Sequence, residues 1–186
     1  MKLFQTVLFA LVMLVNLAIA QPSFANKPPV TSNPDYISVT EELAKATDPT
    51  EIAKLKFEKY IIETGESFAE CRNLTGSPLV VYGKKSKSDQ STFDNSLYTL
   101  PSDATTNEDW NCQGVYLAKG LDNDGLPVAL KLVTGAKLVA TANSETGSVE
   151  LNIPVTKVLK TGEANWLIPA TPEELAVLTL SQAPLD

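Results

Sequence analysis

The sequence predicts a mainly β, α+β fold: an antiparallel β-sandwich or small barrel with a meander, preceded by a short helical hairpin and followed by a C-terminal helix. Three observations carry that expectation. From Ser67 onward, short runs rich in β-branched and aromatic residues are separated by turn residues, which is the pattern of an antiparallel sheet. Before them stand two helix starts, at Ser38 and at Asp48-Pro49, and after them a third at Thr171-Pro172. Each places an oxygen acceptor ahead of a carboxylate three residues on, which satisfies free amides of a first helical turn.

Taken in order, residues 1–20 join a charged end at Lys2 to an apolar stretch from Val7 to Val15 and small residues closing on Ala18-Ile19-Ala20. That is the plan of a signal peptide, and cleavage is expected after Ala20 or after Ala25. Gln5 and Asn16 interrupt the run, whereas a membrane anchor needs about 20 mostly apolar residues. No integral membrane segment is therefore expected once the signal is cleaved, and the expected location is secreted, periplasmic or otherwise extracytoplasmic. Residues 21–36 carry Pro22, Pro28, Pro29 and Pro34 among polar residues and read as an extended tether. Residues 37–186 read as a single β-rich domain with flanking helices.

The helical hairpin is expected over Val39–Lys45 and Pro49–Ile62. On its second helix Ala53, Phe57, Tyr60 and Ile61 form one stripe, and Ile52, Leu55 and Ile62 another, so either packing on two sides or an extended last turn is expected. Strands are expected at Phe68–Arg72, Pro78–Tyr82, Leu97–Leu100, Val115–Ala118, Pro127–Val133, Lys137–Ala142, Ser148–Ile153 and Trp166–Ile168. Asp122–Gly125, Thr134–Ala136 and Ser144–Gly147 are turn-forming stretches, so the three runs between Leu126 and Ile153 read as a meander. The last helix is expected from Thr171 to about Leu180.

Composition excludes more than it selects. Removing the signal takes one lysine from the 15 basic residues and none of the 22 acidic ones, moving the formal charge from −7 to −8. Arg72 is the single arginine. An acidic chain of this kind lacks the electrostatic footprint of nucleic-acid binding. Cys71 and Cys112 are the two cysteines; in an oxidising compartment such a pair bridges, and closing a loop of this length stabilises by about 4 kcal/mol. A redox-active pair would stand as C-x-x-C.

The chain has no histidine, which removes histidine triads, histidine–zinc sites and the commonest general base near neutrality. No glycine-rich phosphate loop of either familiar pattern occurs, and no cofactor or metal is expected. Asp122, Asp124 and Gly125 resemble part of a calcium loop, but Gly120 and Lys131 occupy positions where that loop needs oxygen ligands. The pairs Glu41-Glu42 and Glu173-Glu174 lie at helix starts, where the helix dipole favours negative charge. Lys84, Lys85 and Lys87 form a basic island in a polar loop, which reads as solvated charge. Asn73-Leu74-Thr75 fits the acceptor triplet for N-glycosylation.

Tyr82, Tyr98, Trp110, Tyr116 and Trp166 fall on or beside the β runs. Flat rings on a sheet face can stack on sugars, while the same rings also fill cores. Trp110 stands two residues before Cys112, in position to pack on the bridge. The segment from Leu97 to Leu117 is the densest in such residues, and Tyr98, Trp110 and Tyr116 are the candidate ligand-binding residues. These features together point to a non-catalytic exported module that binds a cell-envelope polymer, a glycan or an extracellular protein. The competing expectation is a carboxylate-dependent envelope enzyme acting on polysaccharide, which requires two acidic side chains about 5–9.5 Å apart in one cleft, one held neutral by burial.

Overall fold

The computed structural model describes residues 29–65, 68–85, 87, 89, 91–120, 125–152 and 157–186. A 3-10 turn at Val30–Ser32 leads into α1 (Pro34–Lys45) and α2 (Pro49–Thr64). Eight strands follow: β1 (Glu70–Leu74), β2 (Leu79–Lys84), β3 (Asn95–Leu100), β4 (Gly114–Leu117), β5 (Val128–Lys131), β6 (Lys137–Ala142), β7 (Val149–Leu151) and β8 (Lys157–Leu159). The short helix α3 (Pro172–Ala176) and the two-residue β9 (Ser181–Gln182) close the chain.

The α+β class and β-rich plan hold, and the strands form two mixed sheets rather than a closed barrel, ordered β1-β6-β7 and β8-β5-β4-β2-β3-β9. The expected meander is corrected: β5 lies in the larger sheet and β6 in the smaller one. The Thr134–Ala136 segment therefore carries the chain from one sheet to the other, and β6 pairs in parallel with β1, Cys71 opposite Leu138. Leu132 and Val133, buried one after the other, follow β5 out of the larger sheet and into the main core.

Helix α1 begins five residues before the expected start. Asn33, with Pro34 at the first helical position, accepts from the Asp35 amide at 2.9 Å, while Ser38 sits inside the helix and donates to Glu42 at 3.0 Å. The last three residues of the expected tether are thus helical, and residues 21–28 lie outside the described set. The second start is as expected: Asp48 accepts from the amides of Thr50 and Glu51 at 3.0 and 2.9 Å. Of the two stripes on α2, one is buried through Leu55 and Ile62, with Glu58 between them. The other faces solvent at Phe57 and Tyr60 and reaches the core only at Ile61, which corrects the expectation of packing on both sides; the last turn is helical to Thr64.

The larger sheet is covered on both faces, so β4 and β5 read as nearly continuous apolar runs. On one face Leu79, Val81, Leu100, Val115, Leu117 and Leu130 join the helices and the smaller sheet in the main core. On the other, Tyr82, Leu97, Tyr116, Ala129 and Leu159 form a second cluster with Ile168. The segment expected as a strand at Trp166–Ile168 makes no strand. It lies over this second face, where the Tyr82 hydroxyl donates to the Leu167 carbonyl and the Tyr116 hydroxyl to that of Pro169, each at 2.9 Å. Two tyrosines on adjacent strands thereby fix the return of the chain toward α3 and β9.

Cys71 and Cys112 form a disulfide with Cα atoms 5.9 Å apart, both fully buried. It staples the smaller sheet to the segment that enters β4. Backbone bonds from Cys112 to Ala69 and from Thr106 to Cys71, each 2.9 Å, fix the same junction. No helix among the described residues is long and apolar enough to cross a membrane.

Candidate ligand-binding cleft

At the outer edge of β3 the sheet opens. β9 pairs with β3 only through Tyr98 opposite Ser181 and Thr99 opposite Gln182, so among the described residues Asn95, Ser96 and Leu97 have no strand on that side. A cleft of about 360 Å³ lies here. Asn95, Ser96 and Leu97 form one side, and Leu167, Leu178 and Leu180 line the apolar part. Just before β3, the Asn165 side-chain amide donates to the Asp94 carboxylate at 2.8 Å and to the Thr92 carbonyl at 3.1 Å. The Asp94 amide returns a bond to the Asn165 carbonyl at 2.9 Å.

Asn95 is the chemically unusual residue of the cleft. It is 2% exposed, and neither its amide nitrogen nor its carbonyl oxygen has a hydrogen-bond partner. A carboxamide carries two donors and an accepting oxygen, and leaving a buried polar group unpaired costs about 1–3 kcal/mol. The strand alternation that buries Leu97 buries Asn95 on the same face, so the fold commits this amide to an interior position without supplying its bonds.

Asp89 brings charge to the rim. Its carboxylate accepts from the Ser96 hydroxyl and, at 2.8 Å, from the Ser91 amide. The Ser96 hydroxyl first, and the Ser91 amide second, hold it below the usual carboxylate range, so it is an anion at neutral pH. Lys85 is tied to the Ser91 carbonyl, which fastens part of the basic island to this loop.

The three aromatic candidates do not form one platform. Tyr98 lines the cleft, but its hydroxyl donates to the Lys84 carbonyl at 2.8 Å. Burial first, and then the Asp89 charge, push its pKa above the ordinary phenol value. Trp110 packs edge-to-face on Tyr98, ring centroids 5.2 Å apart, with its indole over Gly83. Tyr116 lies on the opposite face of the sheet, 3% exposed and bonded to Pro169. Trp166 packs there too, 4.7 Å from the Tyr82 ring. The structure brings together Tyr98 and Trp110 and assigns Tyr116 to the interior.

Sequence reading missed Asn95, because the polar stretch from Ser91 to Ser96 reads as a connector and the strand was expected to start at Leu97. The available signal was parity: Asn95 and Leu97 share a face if the strand begins two residues earlier.

The other acceptor motifs resolve plainly. Asn73 is fully buried, and its amide nitrogen donates to the carbonyls of Ser77, Leu100 and Pro101. The turn residues 121–124 lie outside the described set. Among the described residues no group of three or more acidic or cysteine side chains is placed to hold a metal ion. A second cleft of about 320 Å³ lies beside Val80, Tyr116, Lys119 and Leu175; Tyr116 there already has its partner. Compared with known proteins, the chain matches no protein-family model, no curated protein and no solved structure.

Proposed function

We propose that the chain is an exported, non-catalytic module that binds a ligand from the envelope or extracellular space in the cleft at the edge of β3. The observation that carries this reading is Asn95, a buried amide with neither polar atom partnered, set in a cleft with apolar walls. Concave sites that join apolar walls to a few directed polar groups are the usual form of a binding site. The disulfide from β1 to the segment entering β4 is of the kind an oxidising compartment favours. The alternative of a carboxylate enzyme gains no support from Glu58. Burial raises that carboxyl to about 7, but it lies on α2 and lines neither cleft.

Two measurements test the reading. Intact mass of protein produced with its own first 25 residues in an exporting host should show a chain beginning at Gln21 or Asn26 with both thiols blocked until reduction. A fragment mixture titrated against the labelled protein should shift the side-chain amide signals of Asn95 before any others. Fragments that bind elsewhere and leave the Asn95 signals in place would sink the proposed site.

A further inference from the structure

The geometry points to an extended peptide segment as the ligand of this cleft, lying along the open edge of β3. The inference rests on the cleft being the binding site and adds what fills it. Two independent features favour a peptide. The first is backbone: β3 runs from Asn95 to Leu100, yet β9 covers it only at Tyr98 and Thr99. The uncovered stretch is a short sheet edge, the element to which extended chains add as a new strand. The second is the Asn95 side chain. Its donor and its acceptor, both unpaired, match the carbonyl and the N–H of one peptide backbone in a paired contact.

The walls specify the side chain. Leu97, Leu167, Leu178 and Leu180 offer aliphatic surface, which suits an aliphatic residue of the ligand. Sugar recognition asks for stacked flat rings, and of the aromatic residues only Tyr98 lines the cleft. Its hydroxyl is engaged with Lys84 and its ring with Trp110. A volume near the lower end of ligand pockets, about 300–1,000 Å³, suits a segment of a few residues. The polar atoms of Asn95 are shielded from solvent, so a ligand reaches them only as the neighbouring side chains of the cleft move aside. At the end of the cleft, β9 is a two-residue strand with both residues exposed, the shortest pairing in the larger sheet.

The test is a titration of the full, disulfide-bonded, exported protein with two probes, acetyl-leucyl-leucine methylamide and N,N′-diacetylchitobiose, followed by NMR. The peptide should shift the Asn95 side-chain amide and the backbone amides of Ser96, Leu97 and Ser181. Asn95→Leu should weaken its apparent Kd by about tenfold or more with no loss of thermal midpoint, because an unpaired amide is replaced by an apolar group. Leu178→Glu, on a half-exposed wall of the cleft, should weaken it by a similar factor and serves if Asn95→Leu does not fold. Unchanged affinity in the folded variant overturns the inference. If the disaccharide moves these signals and the peptide does not, the cleft binds but the peptide assignment is wrong. If neither probe moves them, both the assignment and the proposed site fall.

Discussion

Trp110 lies against the backbone of Gly83 so closely that a Cβ placed on the glycine would stand 2.0 Å from the indole Cζ2. The glycine is needed for space and not for its dihedral angles, since Gly83 is not among the residues with positive φ. On the opposite face Trp166 lies over Gly114, where an added Cβ would fall 2.4 Å from the Leu130 carbonyl oxygen and 3.0 Å from the indole Cζ3. Each face of the larger sheet thus seats one tryptophan on a glycine beside a tyrosine.

The first prediction follows from that seat. Gly83→Ala must lift the indole away from the sheet and from its edge-to-face contact with Tyr98. Overpacking of this kind costs about 1–3 kcal/mol, more than the roughly 0.4–1 kcal/mol an alanine gains by restricting the unfolded chain. Urea unfolding should show a lower midpoint at unchanged slope, with an altered near-ultraviolet tryptophan signal. An equal or higher midpoint would mean that Trp110 does not hold this position in solution.

A second prediction concerns the two tyrosine hydroxyls that fasten residues 167–169. Burial raises the pKa of both Tyr82 and Tyr116, so each remains a neutral donor at any working pH. Tyr82→Phe and Tyr116→Phe should each lower stability by about 1–2 kcal/mol, the bond lost plus a carbonyl left without its donor. Hydrogen exchange should quicken in residues 164–182 before it changes in β4 or β5. Uniform acceleration across the sheet would show instead that the segment and the sheet open as one unit.

The sequence carried the caps at Asp48 and Thr171, though not the one at Asn33, and it carried the disulfide and the central strands, because each rests on local chemistry: an oxygen ahead of free amides at Asp48, two cysteines in an oxidised chain, a β-branched and aromatic run from Leu79 to Tyr82. It did not carry the exchange between sheets after Val133, since a turn at Thr134–Ala136 looks the same whether its second strand returns to the first or joins β1. β9 is Ser181-Gln182, two polar exposed residues, and its pairing with β3 has no local signal. The cleft depends on that pairing and on a loop-like stretch at Ser91–Ser96, so the candidate site was the least legible part. Tyr98 was found, and Asn95 was not.

The third prediction is that Asn73 stays unmodified in the folded protein despite its acceptor triplet. Its nitrogen makes three hydrogen bonds and its oxygen accepts from the Thr75 amide and hydroxyl at 3.0 and 2.8 Å. A glycan on that nitrogen would displace the bonds to Ser77, Leu100 and Pro101. Folded material from a glycosylating host should therefore carry no added mass at this site. Asn73→Ala should destabilise by about 3 kcal/mol by leaving several buried carbonyls unpaired. A folded, glycosylated fraction with native hydrogen-exchange protection in β1 would contradict the arrangement.

The last prediction is a stability that falls as pH rises from about 4.5 to about 7, set by Glu58. This side chain is buried between Leu55 and Ile62 on α2. Its Oε1 has no hydrogen bond, and the Lys54 ammonium stands 3.8 Å away. Burial is the main cause that raises its pKa from 4.5 to about 7; Lys54 opposes the rise, and the charges of Glu42 and Asp35 on α1 add to it. Asp35 is itself held to β5 by Lys131 at 2.8 Å, so α1 and its negative charge are fixed near this carboxyl. The folded chain keeps its proton to higher pH than the unfolded chain. The stability this contributes is full below about pH 4.5 and is lost as pH rises to about 7, after which the curve flattens. The shift corresponds to about 3 kcal/mol as an upper bound. Glu58→Gln keeps the shape without the charge, so its unfolding free energy should exceed that of the parent at pH 8 and show a weaker slope between pH 5 and 7. If parent and variant trace parallel curves across that window, the carboxyl is paired or hydrated in solution and the buried-acid account fails.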